Sequence, residues 1–248
     1  MKVIINNIAY EGLPGETLME LAKRYNVSIP NLCHKDGIEG QGRCRLCMVE
    51  VKEGKRTKVV SSCVYPIRDG LEVVTDSEKI MDMRKNIILL LLMKTPNNEY
   101  IKILAEEYGV KAPVRYIDVD DKENCILCGL CVKACERIGT SAISLINRGT
   151  TKKVSTPYDD ASLACIGCGA CAEVCPTNAI TMTERDGIRT IWNKDFKLVK
   201  CSVCGKSYTT EEALKFIESK LDNDEEKVCQ SCRKKIVSGK FKEFYKIY

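Results

Sequence analysis

Cysteine is the residue type whose number and spacing in this sequence point most clearly to chemistry. The chain has 248 residues, with sixteen cysteines and a single histidine. The cysteines fall into four groups of four: 33, 44, 47 and 63; 125, 128, 131 and 135; 165, 168, 171 and 175; and 201, 204, 229 and 232. Cysteines this close together on tight turns rarely meet the geometry of a disulfide. The spacing therefore predicts four sites that bind metal through thiolates.

The second and third groups form an internal repeat, because CILCGLCVKACE at 125–136 returns as CIGCGACAEVCP at 165–176. The doubled spacing C-x2-C-x2-C-x3-C is typical of bacterial ferredoxins with two [4Fe–4S] clusters, in which the fourth cysteine of each copy binds the other cluster. The predicted ligands of the first cluster are Cys125, Cys128, Cys131 and Cys175. Those of the second cluster are Cys165, Cys168, Cys171 and Cys135. Zinc fits this crowded double loop poorly, since zinc sites use separated CxxC pairs.

The cysteine spacing of the first group is similar to that of a plant-type [2Fe–2S] site, with a long loop, a close pair and a distant fourth cysteine. The predicted ligands are Cys33, Cys44, Cys47 and Cys63. Glycines at 37, 40 and 42 allow the long loop to curl round a cluster and donate N–H groups to it. His34 adjoins a predicted ligand. A Rieske centre needs two histidines, so we expect His34 to be a hydrogen-bonding neighbour, with a single histidine ligand as the alternative.

The last group consists of two CxxC pairs joined by a longer insert, which favours a closed tetrahedral zinc site. The predicted ligands are Cys201, Cys204, Cys229 and Cys232. The insert exceeds the common length and contains a predicted helix, so another iron–sulfur cluster or a rubredoxin-like iron stays open as the alternative. A small terminal unit with few apolar residues needs such a metal in order to fold.

Four segments are predicted to position these sites, and together they indicate an α+β chain. They are a small mixed module at 1–76, a helical linker at 77–117, a two-cluster ferredoxin domain at 118–190 and a tetracysteine module at 191–248. Within the first, KVIINNIAY predicts one strand, and Thr17 with Glu20 predicts a capping box that opens a helix. A second capping box is predicted at Thr209 and Glu212. The linker's first helix is predicted to pack through an apolar stripe of Ile80, Met83, Ile87, Leu90 and Leu91.

Composition and charge exclude several classes of protein. No secretory signal is visible, and the longest apolar run, at 87–93, is too short to span a bilayer, so we expect a cytoplasmic chain with reduced thiols. The sequence shows neither a dinucleotide-binding glycine motif nor a phosphate-binding loop, which argues against substrate chemistry. Residues 227–248 carry seven Lys or Arg against one acid. This tail is interpreted as a solvated face, with a docking patch for an acidic partner or for nucleic acid as the alternative.

The segments NLCHKDGIEGQGRCRLCMVEV, SSCVYP, CILCGLCVKACERIG, INRGT and CIGCGACAEVCPTNAI give the chain a family resemblance over about residues 1–190. They resemble, in the same order, the iron–sulfur region of the large iron–sulfur subunit of complex I, of iron-only hydrogenases and of the small diaphorase subunit of NAD-reducing hydrogenases. The resemblance implies a β-grasp fold for the [2Fe–2S] domain. The tetracysteine module, which its CxxC pairs predict to be zinc-ribbon-like, lies outside the shared region. Such proteins usually carry a further [4Fe–4S] cluster held by one His and three Cys, but residues 77–117 contain neither residue type.

The leading hypothesis is an electron-transfer subunit, without catalysis of its own, in a multi-subunit NAD(P)H-linked oxidoreductase. The resemblance implies a partner that binds flavin and NAD(P), a catalytic partner such as a hydrogenase, formate dehydrogenase or transhydrogenase subunit, and soluble ferredoxin as a further partner. Electron bifurcation is part of this hypothesis. The alternative is a free polyferredoxin that shuttles electrons between enzymes. A nucleic-acid-binding regulator is disfavoured because no reading element is recognised.

Overall fold

The computed structural model describes residues 1–54, 56–112, 123–220 and 227–245. The last residues of the predicted linker (113–117), the first of the predicted two-cluster domain (118–122) and the extreme end of the basic tail (246–248) lie outside this range. Among the described residues, no helix combines the length and the apolar character that crossing a membrane requires. The described residues have mixed helix and strand content, as predicted, and form three sheets.

The N-terminal region is a five-stranded mixed sheet with one helix packed against it. Its strands are β1 (Lys2–Ile5), β2 (Ile8–Glu11), β3 (Met48–Glu53), β4 (Arg56–Ser61) and β5 (Leu71–Val74), in the order β2-β1-β5-β3-β4. Strands β1 and β5 are parallel, and the other pairs are antiparallel. Helix α1 (Leu18–Arg24) begins with the predicted capping box of Thr17 and Glu20. Its apolar face packs with β1, β3 and β5 in a core that also contains Cys47 and Cys63.

The prediction of one continuous strand over KVIINNIAY is wrong, because this segment forms the hairpin of β1 and β2. Asn6 and Asn7 lie between the strands with φ of 49° and 67°. Asparagine tolerates this left-handed conformation better than most residues, and two such residues in succession match the twist of a two-residue hairpin turn. The reversal places β2 at the edge of the sheet and leaves β1 to pair with β5.

Two helices follow the N-terminal sheet: α2 (Glu78–Lys94) and α3 (Glu99–Glu107), with Gly109 beyond the second at a φ of 65°. The predicted stripe on α2 is only partly correct, since Leu90 is 65% exposed. The buried positions of α2 are Ile80, which the stripe includes, and Arg84 and Ile88, which it does not. The Arg84 guanidinium lies inside because it donates to the carbonyl oxygens of Leu46 and Met48, both at 3.0 Å. A buried hydrogen-bonded cation therefore fixes the rotation of α2.

The repeat region contains α4 (Leu130–Ile138), β6 (Ser144–Ile146), β7 (Lys153–Ser155) and α5 (Ala170–Glu173). Each helix of the repeat begins directly after a glycine in the left-handed conformation, with φ of 78° at Gly129 and 80° at Gly169. Glycine reaches this conformation without strain, so each loop can turn sharply into its helix between the second and third cysteine of the motif. Strands β6 and β7 form a separate antiparallel pair between the two copies.

The end of the chain forms a four-stranded antiparallel sheet with two helices, which we call the terminal unit (182–220 and 227–245). Its elements are β8 (Met182–Arg185), β9 (Ile188–Ile191), β10 (Lys194–Lys200), β11 (Ser207–Thr210), α6 (Glu211–Glu218) and α7 (Gln230–Tyr245). The strand order is β11-β10-β9-β8, so the sheet spans the predicted boundary at 190/191. The capping box predicted at Thr209 and Glu212 is wrong by one residue, because the Thr210 hydroxyl accepts from the amide of Ala213.

Candidate metal centres

The structure brings the four cysteines of the first group together at the edge of the N-terminal core. Cys47 Sγ lies 3.4 Å from Cys63 Sγ, and the Cys44 amide donates to Cys33 Sγ at 3.3 Å. Contact with the Cys44 thiol lowers the pKa of Cys33. The thiols thus form two adjacent pairs, which suits two irons with two thiolates each.

The loop between Cys33 and Cys44 lies directly against the last of these cysteines. A side chain at Gly40 would overlap the backbone of Cys63, and Gly42 has a φ of 59°. Between them, the amide group of Gln41 is buried, and neither its nitrogen nor its oxygen has a hydrogen-bond partner among the described residues. A buried amide without a partner is costly unless another group satisfies it. The loop therefore fits a site whose inorganic sulfides would accept from such donors.

His34 lies beside this site, where Lys23 Nζ donates to its Nδ1 at 3.2 Å. The same lysine forms an ion pair with Asp36 at 2.6 Å. Burial lowers the pKa of His34, and the nearby Lys23 charge acts in the same direction. The imidazole thus belongs to a polar group at the surface of the loop, which supports the expectation of a hydrogen-bonding neighbour rather than a ligand.

The predicted ligands of the first [4Fe–4S] cluster line one cavity of about 240 Å³, which we call the first cubane site. Its cysteines are Cys125, Cys128, Cys131 and Cys175, three from the first copy of the motif and one from the second. Burial raises the pKa of Cys128 to about 11 and that of Cys131 to about 12. These thiols would stay protonated at neutral pH without a cation to bind, so the cavity favours a metal that displaces the protons.

The predicted ligands of the second cluster, Cys165, Cys168, Cys171 and Cys135, define the second cubane site. Burial raises the pKa of Cys165, and the nearby thiols of Cys168 and Cys135 act in the same direction. Burial also raises the pKa of Cys171 to about 11. Cys168 is the exposed member of the set, whereas Cys171 is buried. Cys135, the fourth cysteine of the first copy, therefore lies near the predicted ligands of the second copy. In the same way, Cys175 of the second copy lies at the first cubane site.

The sulfur of the fourth cysteine in each copy has the same two neighbours, a backbone amide that donates to it and a threonine hydroxyl. The amide of Ala142 donates to Cys135 Sγ at 3.2 Å, and the amide of Ala179 donates to Cys175 Sγ at 3.3 Å. A threonine hydroxyl accompanies each amide, Thr140 at 3.2 Å from Cys135 Sγ and Thr177 at 3.6 Å from Cys175 Sγ. Sequence reasoning missed these roles. The signal was present, because the related segments TSAISL and TNAITM follow the two copies.

The N-terminal site and the first cubane site adjoin one another. Cys33 and Cys128 are buried in the same apolar cluster, together with Leu130. The partly buried side chains of Ile38, Cys44, Ile126 and Val174 complete the contact. A second apolar cluster contains both Cys131 of the first cubane site and Cys171 of the second. The predicted cluster ligands thus form a continuous series through packed apolar surroundings.

The last four cysteines converge in the terminal unit, where their Sγ atoms all lie within 4.8 Å of one another. Cys204 Sγ and Cys229 Sγ are 3.8 Å apart. The Cys229 amide donates to Cys201 Sγ at 3.3 Å and thereby lowers the pKa of Cys201 to about 6. Cys201 and Cys232 are buried together with Val228. Four thiols this close together could bind one metal ion or the edge of a small cluster.

Comparisons with known protein families identify the domains. Residues 1–78 match the family described as a 2Fe-2S iron-sulfur cluster binding domain. Residues 118–182 match a family described as a 4Fe-4S dicluster domain, and residues 164–234 match another family with the same description. The last match extends over all four cysteines of the terminal unit, so the comparison assigns no zinc to that site.

Relatives of known identity share this region. The NADPH-Fe(3+) oxidoreductase subunit alpha of Geobacter sulfurreducens is 32% identical over 66% of this chain and 22% of its own length. The NADP-reducing hydrogenase subunit HndD of Solidesulfovibrio fructosivorans is 29% identical over 68% of this chain and 34% of its own length. The chain thus matches only about a fifth to a third of the length of these curated relatives.

A solved structure agrees with these matches. A chain in the crystal structure of an NAD+-reducing [NiFe]-hydrogenase in the H2-reduced state superposes with a TM-score of 0.56 and 25% identity, covering 62% of this chain and 74% of that one. The part of this chain that matches known families is the part that carries the cysteine motifs. Over its iron–sulfur region, the chain therefore has a [2Fe–2S] domain followed by a [4Fe–4S] dicluster domain, and there it is similar to the iron–sulfur subunits that its sequence resembles.

Proposed function

We propose that this chain is the iron–sulfur electron-transfer subunit of a multi-subunit NAD(P)H-linked oxidoreductase. The observation that carries the proposal is the contiguity of the sites: Cys33 and Cys128 share one buried cluster, and Cys131 and Cys171 share the next. Electron transfer needs centres that are close together and insulated from water. A series of buried thiolate sites linked by apolar packing provides both, whereas substrate chemistry needs a reactive group that the sequence does not offer.

We assign the ligands as the sequence predicts. The [2Fe–2S] cluster takes Cys33, Cys44, Cys47 and Cys63; the first [4Fe–4S] cluster takes Cys125, Cys128, Cys131 and Cys175; and the second takes Cys165, Cys168, Cys171 and Cys135. When bound, these clusters supply one-electron redox chemistry. The chain's own residues fix the geometry of the thiolates, donate hydrogen bonds to them and exclude water, which sets the reduction potentials.

The contacts between sites support an order of electron transfer. The [2Fe–2S] site neighbours the first cubane site, and the second cubane site neighbours the terminal unit. An electron that enters at one end would therefore cross the first cubane site before it reaches the other end. The names of the relatives, an NADP-reducing hydrogenase subunit and an NADPH-Fe(3+) oxidoreductase subunit, support a partner that binds NAD(P) and a catalytic partner. The family resemblance adds flavin to the first of these partners. Electron bifurcation, with soluble ferredoxin as a third partner, extends this proposal.

For the terminal unit we propose a single zinc ion bound by Cys201, Cys204, Cys229 and Cys232. Zinc–sulfur bonds of about 2.3 Å in a tetrahedron place the sulfurs about 3.8 Å apart. The separation of Cys204 Sγ from Cys229 Sγ, 3.8 Å, supports this choice. A cubane binds each thiolate to a different iron and spreads the sulfurs farther apart. The competing proposal is a further cluster, which the match of residues 164–234 to a dicluster family favours.

Anaerobic metal analysis of the purified chain tests both proposals together. We expect about ten irons and one zinc per chain. A count of about fourteen irons without zinc would replace the zinc ion with a third cubane and leave the electron-transfer function intact. Fewer than about four irons would contradict the function itself.

Purification from the native host at low salt tests the assignment to a complex. We expect a flavoprotein that oxidises or reduces NAD(P)H to accompany the chain. If the chain elutes alone with all its iron and exchanges electrons with several separate enzymes, the free-carrier alternative holds instead.

A further inference from the structure

Side chains of the terminal unit hold the ligand loop of the second copy of the motif. Lys194 Nζ donates to the carbonyl oxygen of Cys165 at 2.9 Å and to that of Ser162 at 3.2 Å. The Thr210 hydroxyl donates to the carbonyl oxygen of Ile166. Arg189 Nη1 donates to the carbonyl oxygen of Gly167 at 2.8 Å. Three successive carbonyl groups of the loop are therefore fixed by residues that follow the ferredoxin repeat in the sequence.

The anchored carbonyl groups also orient the loop's amides. In a planar trans peptide, the N–H points opposite to the C=O. The carbonyl of Ile166 points to Thr210, so the N–H of Gly167 points away from the terminal unit. That N–H donates to the Cys165 thiol. The terminal unit therefore directs a donor onto a predicted ligand of the second cluster.

Phe196 of the terminal unit packs against Gly167 of the ligand loop. Its side chain is 0% exposed, and a Cβ placed on Gly167 would come within 2.5 Å of the ring. Gly167 has a φ of 65°, which glycine adopts without strain. The Lys194 ammonium lies 4.8 Å from the centre of the Phe196 ring. The loop therefore packs directly against the buried Phe196 ring, and the Lys194 ammonium lies beside that ring.

Trp192 donates a hydrogen bond from the terminal unit to the sulfur of a predicted [4Fe–4S] ligand. Its indole Nε1 donates to Cys171 Sγ at 3.4 Å. Two cations accompany it: Lys194, whose charge acts on Cys165, and Arg189, which also forms an ion pair with Glu184 at 2.7 Å. The Trp192 donor and the Lys194 charge favour negative charge on the ligand sulfurs, whereas Arg189 anchors the loop.

We propose that Trp192, Lys194, Arg189 and Thr210 position the ligand loop of the second [4Fe–4S] cluster and raise the reduction potential of that cluster. The proposal rests on the proposed function, which places a cluster at these cysteines. Reduction adds negative charge to the cluster, so an N–H donor on a ligand sulfur and nearby cations stabilise the reduced form more than the oxidised form. The terminal unit would therefore set how readily the second cluster accepts an electron.

Redox titration of the reconstituted full-length chain, followed by electron paramagnetic resonance, tests the effect on potential. Trp192→Phe removes the N–H donor and keeps an aromatic ring, and Lys194→Gln removes the charge and keeps a donor. We expect each to shift one of the two [4Fe–4S] midpoints to a more negative potential and leave the other unchanged. Thr190→Val is the matched control, because Thr190 is an exposed residue of β9 that bonds to Asp195, outside the loop contacts.

A second measurement locates the tryptophan directly. The chain contains one tryptophan, so 15N-labelled tryptophan introduces a single labelled indole. We expect pulsed paramagnetic resonance of the reduced protein to show a 15N hyperfine coupling that disappears in Trp192→Phe. Absence of this coupling in the wild-type chain with reduced clusters would contradict the contact between Trp192 and the second cluster.

The outcomes separate this inference from the proposed function. A wild-type chain without two [4Fe–4S] clusters would overturn the proposed function. Full iron content with wild-type midpoints in both Trp192→Phe and Lys194→Gln would overturn only the inference. Selective loss of about four irons in either variant would support the positioning role, since the remaining clusters report that the chain has folded.

Discussion

The two copies of the ferredoxin motif share their cysteine spacing but lie in different surroundings. The first copy faces the N-terminal domain, where a Cβ on Gly129 would come within 2.5 Å of the Arg43 guanidinium. The second copy faces the terminal unit, where a Cβ on Gly167 would come equally close to the Phe196 ring. One neighbour is the movable end of a long side chain, and the other is a fully buried ring. The repeat thus supplies the ligands, while the flanking segments supply the environment that can make the two sites differ.

Replacing a single predicted ligand cysteine by serine should have the largest effect, the loss of a whole cluster. Cys175→Ser removes a thiolate that lies in the second copy of the motif but lines the first cubane site. We expect this variant to lose the first [4Fe–4S] cluster, and Cys135→Ser to lose the second. Iron analysis and paramagnetic resonance after anaerobic reconstitution measure both.

Cys204→Ser serves as the control, because it removes a terminal thiolate and should leave about ten irons in place. If Cys175→Ser instead lost the same cluster as Cys165→Ser, each copy would bind its own cluster, and the exchange of fourth ligands between the copies would be refuted.

Alanine substitutions at Gly167 and Gly129 test how tightly each copy of the motif packs against its neighbouring segment. Gly167→Ala introduces a methyl group against the Phe196 ring at a φ of 65°, so it combines backbone strain with overpacking. We expect a destabilisation of about 2–5 kcal/mol and weaker retention of the second cluster. Gly129→Ala carries similar backbone strain, but the Arg43 guanidinium can move aside, so we expect about 1–2 kcal/mol. Thermal unfolding of the iron-loaded variants measures the difference.

Gly149→Ala is the control for backbone strain alone, since its φ is 58° and nothing lies within 4 Å of the added carbon. Equal losses of stability in Gly167→Ala and Gly149→Ala would show that the Phe196 contact contributes nothing at this position.

Removing a hydrogen bond that ties either copy to its neighbour should have a smaller effect than Gly167→Ala. Asn98 caps α3 and donates to the Thr177 carbonyl at 2.9 Å, beside the fourth ligand of the first cubane site. Thr210 caps α6 and donates to the Ile166 carbonyl beside the second. We expect Asn98→Ala and Thr210→Val each to cost about 1–3 kcal/mol, because each loses a cap and leaves a carbonyl without its donor.

Ser77→Ala is the matched control, since Ser77 caps α2 through the amide of Ile80. A cost of about 1 kcal/mol is expected there. Thermal unfolding compares the three variants, and a Thr210→Val protein as stable as wild type would argue against the anchoring of the second copy.

The grouping of the cysteines could be predicted from the sequence, because their spacing is short and regular and cysteines spaced in this way have few other uses. The doubled motif predicts that Cys175 joins Cys125, Cys128 and Cys131, and the structure places these four cysteines around one cavity. Their assignment as cluster ligands stays a prediction. The buried face of α2 could not, since the partners of Arg84 are backbone carbonyls of residues 46 and 48 in a separate segment. The start of α6 was misplaced because two adjacent threonines, 209 and 210, are equally good caps.

The contacts of Trp192, Lys194 and Arg189 were likewise invisible in the sequence. Each residue reaches back some twenty or more positions to the loop of the second copy, and pairing of that kind depends on the sheet β8–β11. Aromatic and basic residues on a strand have many ordinary roles, so their types alone carry no signal. Only the register of the strands reveals that they meet at one loop.

The cavity that gathers Cys125 and Cys175 has a consequence for how the protein is made. The ribosome must add about fifty residues after Cys125 before the last of the four sulfurs exists, because these positions are widely separated in the chain. A partly synthesised chain therefore exposes an incomplete set of thiols to oxygen and to stray metals. Under the proposed ligand assignment, the first [4Fe–4S] cluster cannot be completed until the second copy of the motif has been synthesised.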